Sequence, residues 1–507
     1  MLPAPRPLLP LWAALIVAVC SGPILDAAFP DIGWWPLAFP GIALVLVSLV
    51  GRRIGTSLIV GLIAGMSFYF THIEWAELFL GPLPMSALAV LESLFFSAGS
   101  LAITLAYRWV PRAFSGRWAR LGFVPAVVAG LWTAREAWAS VWPYGGFAWG
   151  RVALSQSESP FATLFGWIGV SGVSFVMVFI VAVAIECIRF ADAPRLVRAS
   201  VAVGVATVIL LVPAFPTLTD GSLQVLAVQG NGKAGYFDKR AQGDLLQAQL
   251  DATLEHADEE VDVVVWPEGG SDIDPNASRY AAQAFDYVST VFDAPLVSGV
   301  IVDRDELTFN SSVLWKAGEG VVDYYDKKHP VPFGEYIPDR AFWRPFAPDL
   351  IDLVGRDYTP GTTDAVVDLG DAVAGLNICF DIVDDQLMTE TVEQGAQLVF
   401  AQSNNADFGR TDESVQQLAI ARIRAIELGR SVVVISTVGT SAIIGPDGRT
   451  IDQLEWYTPG AMNVAVPLSD VTSPAVVVGR QLEWLVSFVG LAGLLVAGLA
   501  LRRPRRG

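Results

Sequence analysis

The chain has 507 residues, of which 53% are hydrophobic and only 17% are charged, and its formal net charge is −18. Soluble domains carry about 25% charged residues, so this composition excludes an entirely soluble protein. The strong negative charge excludes a nucleic-acid-binding protein that works by bulk electrostatic attraction. Three widely separated cysteines and three histidines exclude a disulfide scaffold and leave few ligands for a metal centre, so we expect no metal site.

The charge is distributed unevenly along the chain. Residues 1–220 hold twelve Arg, no Lys and ten acidic residues, whereas residues 221–483 hold 17 basic and 41 acidic residues. Residues 484–507 hold four Arg and no acidic residue. We therefore predict seven transmembrane helices in 1–220, an acidic domain outside the membrane in 221–483, and a final transmembrane helix with a basic tail in 484–507.

Eight segments are apolar enough, and about long enough, to cross a bilayer. They are residues 8–27, 34–50, 54–73, 84–107, 121–141, 161–188, 196–215 and 484–501. Fourteen Arg lie in the segments predicted on one side, and a single Arg, Arg151, lies in the short connections predicted on the other. The positive-inside rule then predicts that the acidic domain lies on the extracytoplasmic side of the cytoplasmic membrane. A transporter is the obvious alternative, but it does not explain a large domain inserted before the last helix.

The acidic domain shows the pattern of an α/β fold. Predicted strands cover 223–229, 261–266, 295–302, 312–315, 321–326, 372–380, 397–403 and 431–437, with helices over 245–257 and 413–428. The strands are nearly continuous apolar runs, which indicates burial on both faces. A GxGxxG match at 230–235 is interpreted as a turn, because the next strand-end acid lies 33 residues beyond it, where a dinucleotide site has one after about 20.

Three predicted strands end in polar groups that together could perform nucleophilic catalysis. Glu268 follows one strand in VVVWPEGG, Lys327 follows another in YYDKKHPVPFGEYIP, and Cys379 ends a third in NICFDI. A thiol of pKa about 8.5 needs a base or a nearby cation, which a carboxylate and a lysine would supply. Each residue also has a structural interpretation, as a core thiol or as solvated loop charges. Spacing alone does not establish that the three converge.

These motifs resemble the nitrilase superfamily, and the whole chain, with its predicted helices before and after this domain, resembles the apolipoprotein N-acyltransferase family. VPFGEY and the helix RAIELGR carry the resemblance most specifically. It implies a multi-pass helical membrane domain joined to a four-layer αββα sandwich. It also implies that Glu268 is the general base, Lys327 stabilises the oxyanion and the thiolate, and Cys379 is the nucleophile. Glu335, in FGEY, would be a second carboxylate of the site.

Several positions depart from the family pattern. Family members often carry an aromatic residue and a Glu after the nucleophile, whereas this chain has Phe380 and Asp381, which we predict to be supporting residues. His329 is followed by Pro330 where a Leu is frequent. Asp407 replaces a common Trp, as in versions from high-GC Gram-positive bacteria, so the role of its loop cannot be carried over.

The resemblance implies that a phospholipid donates an acyl chain to Cys379, and that the α-amine of a diacylglyceryl-modified apolipoprotein accepts it. The partners would be membrane lipids and lipoproteins, with no nucleic acid, and no cofactor is required because thioester exchange to an amide is downhill. A membrane-tethered amidase or nitrilase with the same residues is the first alternative. A receptor or transporter whose outer domain only binds ligand is the second, and it predicts that Cys379 is dispensable.

Overall fold

The computed structural model describes residues 6–189, residues 200, 203, 204 and 207, and residues 211–502. The chain divides into two compact units. The first, here called the helical unit, comprises Met1–Glu77, Gly81–Ala214 and Val477–Gly507. The second, here called the α/β unit, comprises Leu78–Leu80 and Phe215–Val476.

The helical unit is built from long apolar helices. In chain order these are α1 (Leu11–Asp26), α2 (Ala38–Leu49), α3 (Ile54–His72), α4 (Pro82–Ala113), α5 (Val124–Ala139) and α6 (Phe165–Arg189), followed after the α/β unit by α11 (Pro474–Arg502). Four described helices are long and apolar enough to cross a membrane: Ile54–His72, Pro82–Ala113, Pro160–Arg189 and Pro474–Arg502. Leu11–Asp26 and Trp35–Leu49 are shorter apolar helices.

The predicted membrane segments can be compared with these helices. The predicted segment at 121–141 contains α5, which has 16 residues. The predicted segment at 196–215 falls largely outside the described residues. The last helix begins at Pro474, whereas the sequence predicts residue 484. The apolar pattern misses this first part because Arg480 and Glu483 interrupt it.

Small residues allow the helices of this unit to approach closely. A Cβ atom on Gly130 of α5 would lie 2.3 Å from the carbonyl oxygen of Val486 on α11. A Cβ on Gly490 would lie 2.5 Å from the carbonyl carbon of Gly130. Such backbone contact is typical of membrane helices, which associate by close packing rather than by the hydrophobic effect.

The α/β unit contains two six-stranded sheets, ordered β12-β1-β2-β3-β4-β5 and β11-β10-β9-β8-β7-β6. The strands are β1 (Ser222–Gln229), β2 (Val263–Val265), β3 (Leu296–Arg304), β4 (Leu307–Lys316), β5 (Gly320–Asp326), β6 (Val366–Asp368), β7 (Val373–Ile378), β8 (Leu398–Ser403), β9 (Ser431–Ser436), β10 (Ala442–Ile444), β11 (Thr450–Gln453) and β12 (Gly460–Pro467). In each sheet, three neighbouring strands are parallel (β1, β2 and β3; β7, β8 and β9), and the outer pairings are antiparallel.

Four helices cover the outer faces of these sheets: α7 (Asp244–Leu254), α8 (Arg279–Phe292), α9 (Asp385–Glu393) and α10 (Asp412–Leu428). Val225 of β1 points into a core shared with Phe400 of the other sheet, whereas its neighbour Leu226 packs with residues of α7 and α8. On the second sheet, Asn377 of β7 reaches Met388 of α9, with 3.5 Å between Nδ2 and Sδ. The layers are therefore helix, sheet, sheet and helix, and the predicted αββα sandwich is confirmed.

All eight predicted strands are present, but four strands and two of the four covering helices, α8 and α9, were not predicted. β6 and β10 have three residues each, and β11 is exposed along its whole length, so neither length nor apolar pattern identifies them. Residues 230–235 lie in the connection between β1 and α7, as expected for a turn.

Candidate active site

The candidate site lies where strands of both sheets end. Glu268 comes three residues after β2, Lys327 directly follows β5, and Cys379 directly follows β7. Two hydrogen bonds join the sheets at this end. Nε2 of Gln402, on β8, donates to the carbonyl oxygen of Trp266 at 2.6 Å, and the hydroxyl of Tyr325 donates to the Asp381 carboxylate at 2.8 Å.

Lys327 is 1% exposed and is held between two carboxylates. Its Nζ lies 2.8 Å from Oε2 of Glu335 and 3.7 Å from Oε1 of Glu268. Burial alone lowers the pKa of Lys327, but the charges of Glu335 and Glu268 more than offset this and hold the pKa well above its usual value. Lys327 is therefore a permanent cation at the centre of the site.

Asn310, in the middle of β4, also contacts both carboxylates. Its Nδ2 donates to Oε1 of Glu268 at 2.7 Å and to Oε1 of Glu335 at 3.0 Å. Its carbonyl oxygen accepts from the backbone N–H of Lys327 at 2.9 Å. Asn310 was not predicted, because nothing in the run FNSSV distinguishes it from an ordinary polar strand residue. It fixes the two carboxylates and the lysine backbone as one cluster.

The environment of Glu268 makes it a stronger base than an ordinary carboxylate. Burial raises the pKa of Glu268, the Lys327 ammonium opposes this, the nearby Glu335 carboxylate adds to it, and the net pKa is raised. A carboxylate with a raised pKa can accept a proton from a weak acid and return it later. This is the property that a general base next to a thiol requires.

Cys379 has an unusual backbone and a strongly perturbed thiol. Its φ is +53°, in the left-handed region that residues other than glycine rarely occupy, and such residues cluster at functional sites. Burial raises the pKa of the Cys379 thiol, the Glu268 carboxylate raises it further, and Lys327 opposes both, leaving it well above the usual value. The resting thiol is therefore protonated at neutral pH and needs a base when it reacts.

Asp381 and Phe380, predicted as supporting residues, follow Cys379 in a short 3-10 turn. Asp381 is fully buried and accepts hydrogen bonds from the Tyr325 hydroxyl at 2.8 Å and from the backbone N–H of His329 at 3.2 Å. It thereby ties the turn of Cys379 to the loop that follows Lys327. Phe380 is half-buried beside it.

Two family models match most of the chain. The apolipoprotein N-acyltransferase N-terminal domain matches residues 21–183, and the carbon-nitrogen hydrolase model matches residues 226–475. An apolipoprotein N-acyltransferase of Mycolicibacterium smegmatis is 30% identical, over 96% of this chain and 85% of the relative. The chain belongs to the apolipoprotein N-acyltransferase family.

A second apolipoprotein N-acyltransferase agrees with this membership. The apolipoprotein N-acyltransferase of Pseudomonas aeruginosa strain LESB58 is 28% identical, over 98% of this chain and 97% of the relative. Among solved structures, an amidase from Nesterenkonia sp. matches with a TM-score of 0.37 and 17% identity, covering 51% of this chain and 94% of the amidase. With its long apolar helices, the chain is a membrane-bound member of the family.

Asp407, identified from the sequence as a departure from the family pattern, has a structural contact in this chain. Its Oδ1 accepts a hydrogen bond from the backbone N–H of Tyr236 at 2.7 Å. Burial raises the pKa of Asp407, and the bond from Tyr236 opposes the rise. Asp407 therefore links the loop after β8 to the connection between β1 and α7.

Proposed function

We propose that this protein transfers a fatty acyl chain from a phospholipid to the N-terminal amine of a diacylglyceryl-modified apolipoprotein, through a thioester on Cys379. The observation that carries the proposal is the buried cluster of Glu268, Lys327 and Glu335 whose charges act on the Cys379 thiol. Membership in the apolipoprotein N-acyltransferase family supports both substrates. Glu268 acts as base, Lys327 stabilises developing negative charge, and Glu335 with Asn310 holds them in position.

In the first half-reaction, Glu268 takes the proton from Cys379 as Sγ attacks the ester carbonyl carbon of the phospholipid. The pKa of the thiol, raised by burial, favours proton transfer during the attack over a thiolate formed beforehand. The Lys327 ammonium stabilises the tetrahedral oxyanion. Glu268 then gives its proton to the departing oxygen, so a lysophospholipid leaves and the acyl chain remains as a thioester.

In the second half-reaction, the α-amine of the acceptor attacks the thioester carbonyl carbon. The amine loses a proton to Glu268, and the departing sulfur takes that proton back, which regenerates the thiol and releases an amide. The same base and the same cation serve both halves, as expected of a ping-pong enzyme. No cofactor takes part in either half.

The thioester must survive until a bulky second substrate arrives, so water has to be excluded from it. The loop after Lys327 supplies apolar surface: Phe342 and Phe346 are 59% and 73% exposed, and Trp343 packs against Phe333 with ring centroids 5.7 Å apart. Exposed aromatic side chains of this kind suit contact with acyl chains and with a membrane interface.

We also propose the topology that the sequence predicts: seven membrane helices in 1–220, the catalytic domain in 221–483 on the extracytoplasmic side, and a last helix with a cytoplasmic tail in 484–507. The distribution of Arg supports it. Reporter fusions at residue 220 and at the C-terminus are expected to lie on opposite sides of the membrane. Two reporters on the same side would refute it.

A membrane-tethered amidase-type hydrolase is the second candidate, favoured by the match of the α/β unit to the carbon-nitrogen hydrolase model. Purified enzyme is incubated with labelled phospholipid and no acceptor, with C379A as the control. We expect a stable, hydroxylamine-sensitive label on Cys379, which moves to an N-acyl product when a diacylglyceryl-cysteine peptide is added. Rapid release of free fatty acid without retained label or amide would establish the hydrolase instead.

A further inference from the structure

A second polar network reaches Cys379 from α10, and the family motifs give it no role. Nε2 of Gln417, on α10, donates to Sγ of Cys379 at 3.8 Å. Both residues line a cavity of about 10 Å³ between α10 and the second sheet, enough space for about one water molecule. Gln417 is buried, so its amide has no bulk water as an alternative partner.

The orientation of the Gln417 amide is set by Asn405, which follows β8. Nδ2 of Asn405 donates to Oε1 of Gln417 at 2.9 Å and to Oε2 of Glu413 at 2.8 Å. Its Oδ1 accepts from the hydroxyls of Ser436 at 2.6 Å and Ser403 at 3.2 Å. All four hydrogen-bonding positions of the Asn405 amide are therefore used.

This arrangement leaves only one role for the far end of Gln417. Because its Oε1 faces an N–H donor of Asn405, its Nε2 must point the other way, towards the sulfur. A glutamine in this orientation offers a donor, never an acceptor, to Sγ. A donor is of little use to a thiol or a thioester, which are weak acceptors, but it stabilises a thiolate.

We propose that Gln417 is a further catalytic residue, which stabilises the Cys379 thiolate through an N–H···S hydrogen bond, and that Asn405 is the positioning residue that aims it. The proposal rests on the proposed function, in which Sγ carries the acyl group. The bond is strongest when Sγ carries negative charge, which develops as Glu268 takes the thiol proton during attack on the ester and again as the amine expels sulfur from the thioester. It therefore lowers both barriers more than it stabilises the resting enzyme.

The charged groups facing the thiol act alongside this bond. Glu268, Glu413 and Glu335 raise the pKa of Cys379, and Lys327 lowers it. Lys327 is also paired with the carboxylates of Glu268 and Glu335, which partly neutralise its charge. The neutral donor from α10 adds stabilisation of negative charge on the sulfur that the lysine alone does not provide.

The test titrates the thiol directly, by the rate of iodoacetamide alkylation against pH, in full-length protein whose other cysteines, Cys20 and Cys187, are replaced by Ser. Q417M keeps the volume of the side chain and removes the donor. The matched control is Q249M, because Gln249 is equally buried but lies on α7, covering the other sheet. We expect Q417M to raise the apparent thiol pKa by about one unit or more, and Q249M to leave it unchanged.

Acyl-enzyme formation by Q417M is expected to fall at least tenfold at pH 7 and to recover partly as the pH rises. N405L, which removes the donor to Oε1 of Gln417 without adding a charge, is expected to shift the thiol pKa in the same direction and serves if Q417M folds poorly. An unchanged thiol pKa in folded Q417M, or an equal shift in Q249M, would overturn the proposal. Transfer that persists in C379A would instead refute the proposed function, so the two failures are distinguishable.

Discussion

The buried Glu413 should make the protein less stable as the pH rises, and the substitution E413Q should remove this effect. Burial raises the pKa of Glu413 to about 8, partly opposed by its bond from Asn405, while its ordinary value is 4.5. The folded state therefore holds this proton more tightly than the unfolded state does. The neutral form is the stable one, so stability is retained at low pH and lost as the pH rises from about 4.5 to about 8.

The size of the loss follows from the two pKa values. Between pH 6 and pH 8, ionisation of Glu413 lowers the free energy of unfolding by about 2.3 kcal/mol. For a domain of this size, that is a fall in Tm of roughly 5–9 °C. The substitution E413Q keeps the shape and the acceptor for Asn405 but cannot ionise, so this part of the fall should disappear.

The assay is thermal unfolding of wild-type and E413Q protein in the same detergent at several values between pH 6 and pH 8. Other titrating groups contribute equally to both proteins, so the difference between the two slopes isolates Glu413. E260Q, at an exposed position on the same unit, is the control and should follow the wild type. Parallel slopes for wild type and E413Q would refute the reasoning.

Three further predictions concern catalysis. The single variants E268Q, K327A and C379A should each abolish transfer while the protein still accumulates in the membrane. Double variants should be no worse than single ones, because the three residues act as one unit. N310L should lower kcat/KM roughly 10- to 100-fold, the loss expected from removing a hydrogen bond to a charged group; an unchanged value would mean that Lys327 alone positions the carboxylates. G299A should lower transfer about tenfold or more, because its Cβ would lie 2.6 Å from Cα of Glu268 and would displace that residue. G355A is the control, because a Cβ at this position has room.

The sequence predicted the strand ends of the site but not how they meet. Glu268, Lys327 and Cys379 could be singled out because each lies within two residues of the end of a predicted strand, and a strand end can be recognised from the local sequence. Asn310 could not, since its role depends on the register of β4 against its neighbours, which only the folded sheet defines. The same is true of Gln417, whose position in a helix of ordinary polar pattern says nothing about the sulfur it faces.

The pairing of β1 with β12 has a consequence for how the protein is made. Ser222 lies opposite Pro467, so the first and last strands of the α/β unit are neighbours in one sheet. During synthesis, the outer edge of β1 stays unpaired until β12 has been made, near the end of the domain. Such long-range pairing slows folding and leaves an edge open to aggregation. The next element is α11, which begins at Pro474. Closure of the sheet and synthesis of the long apolar helix α11 therefore follow each other closely during biogenesis.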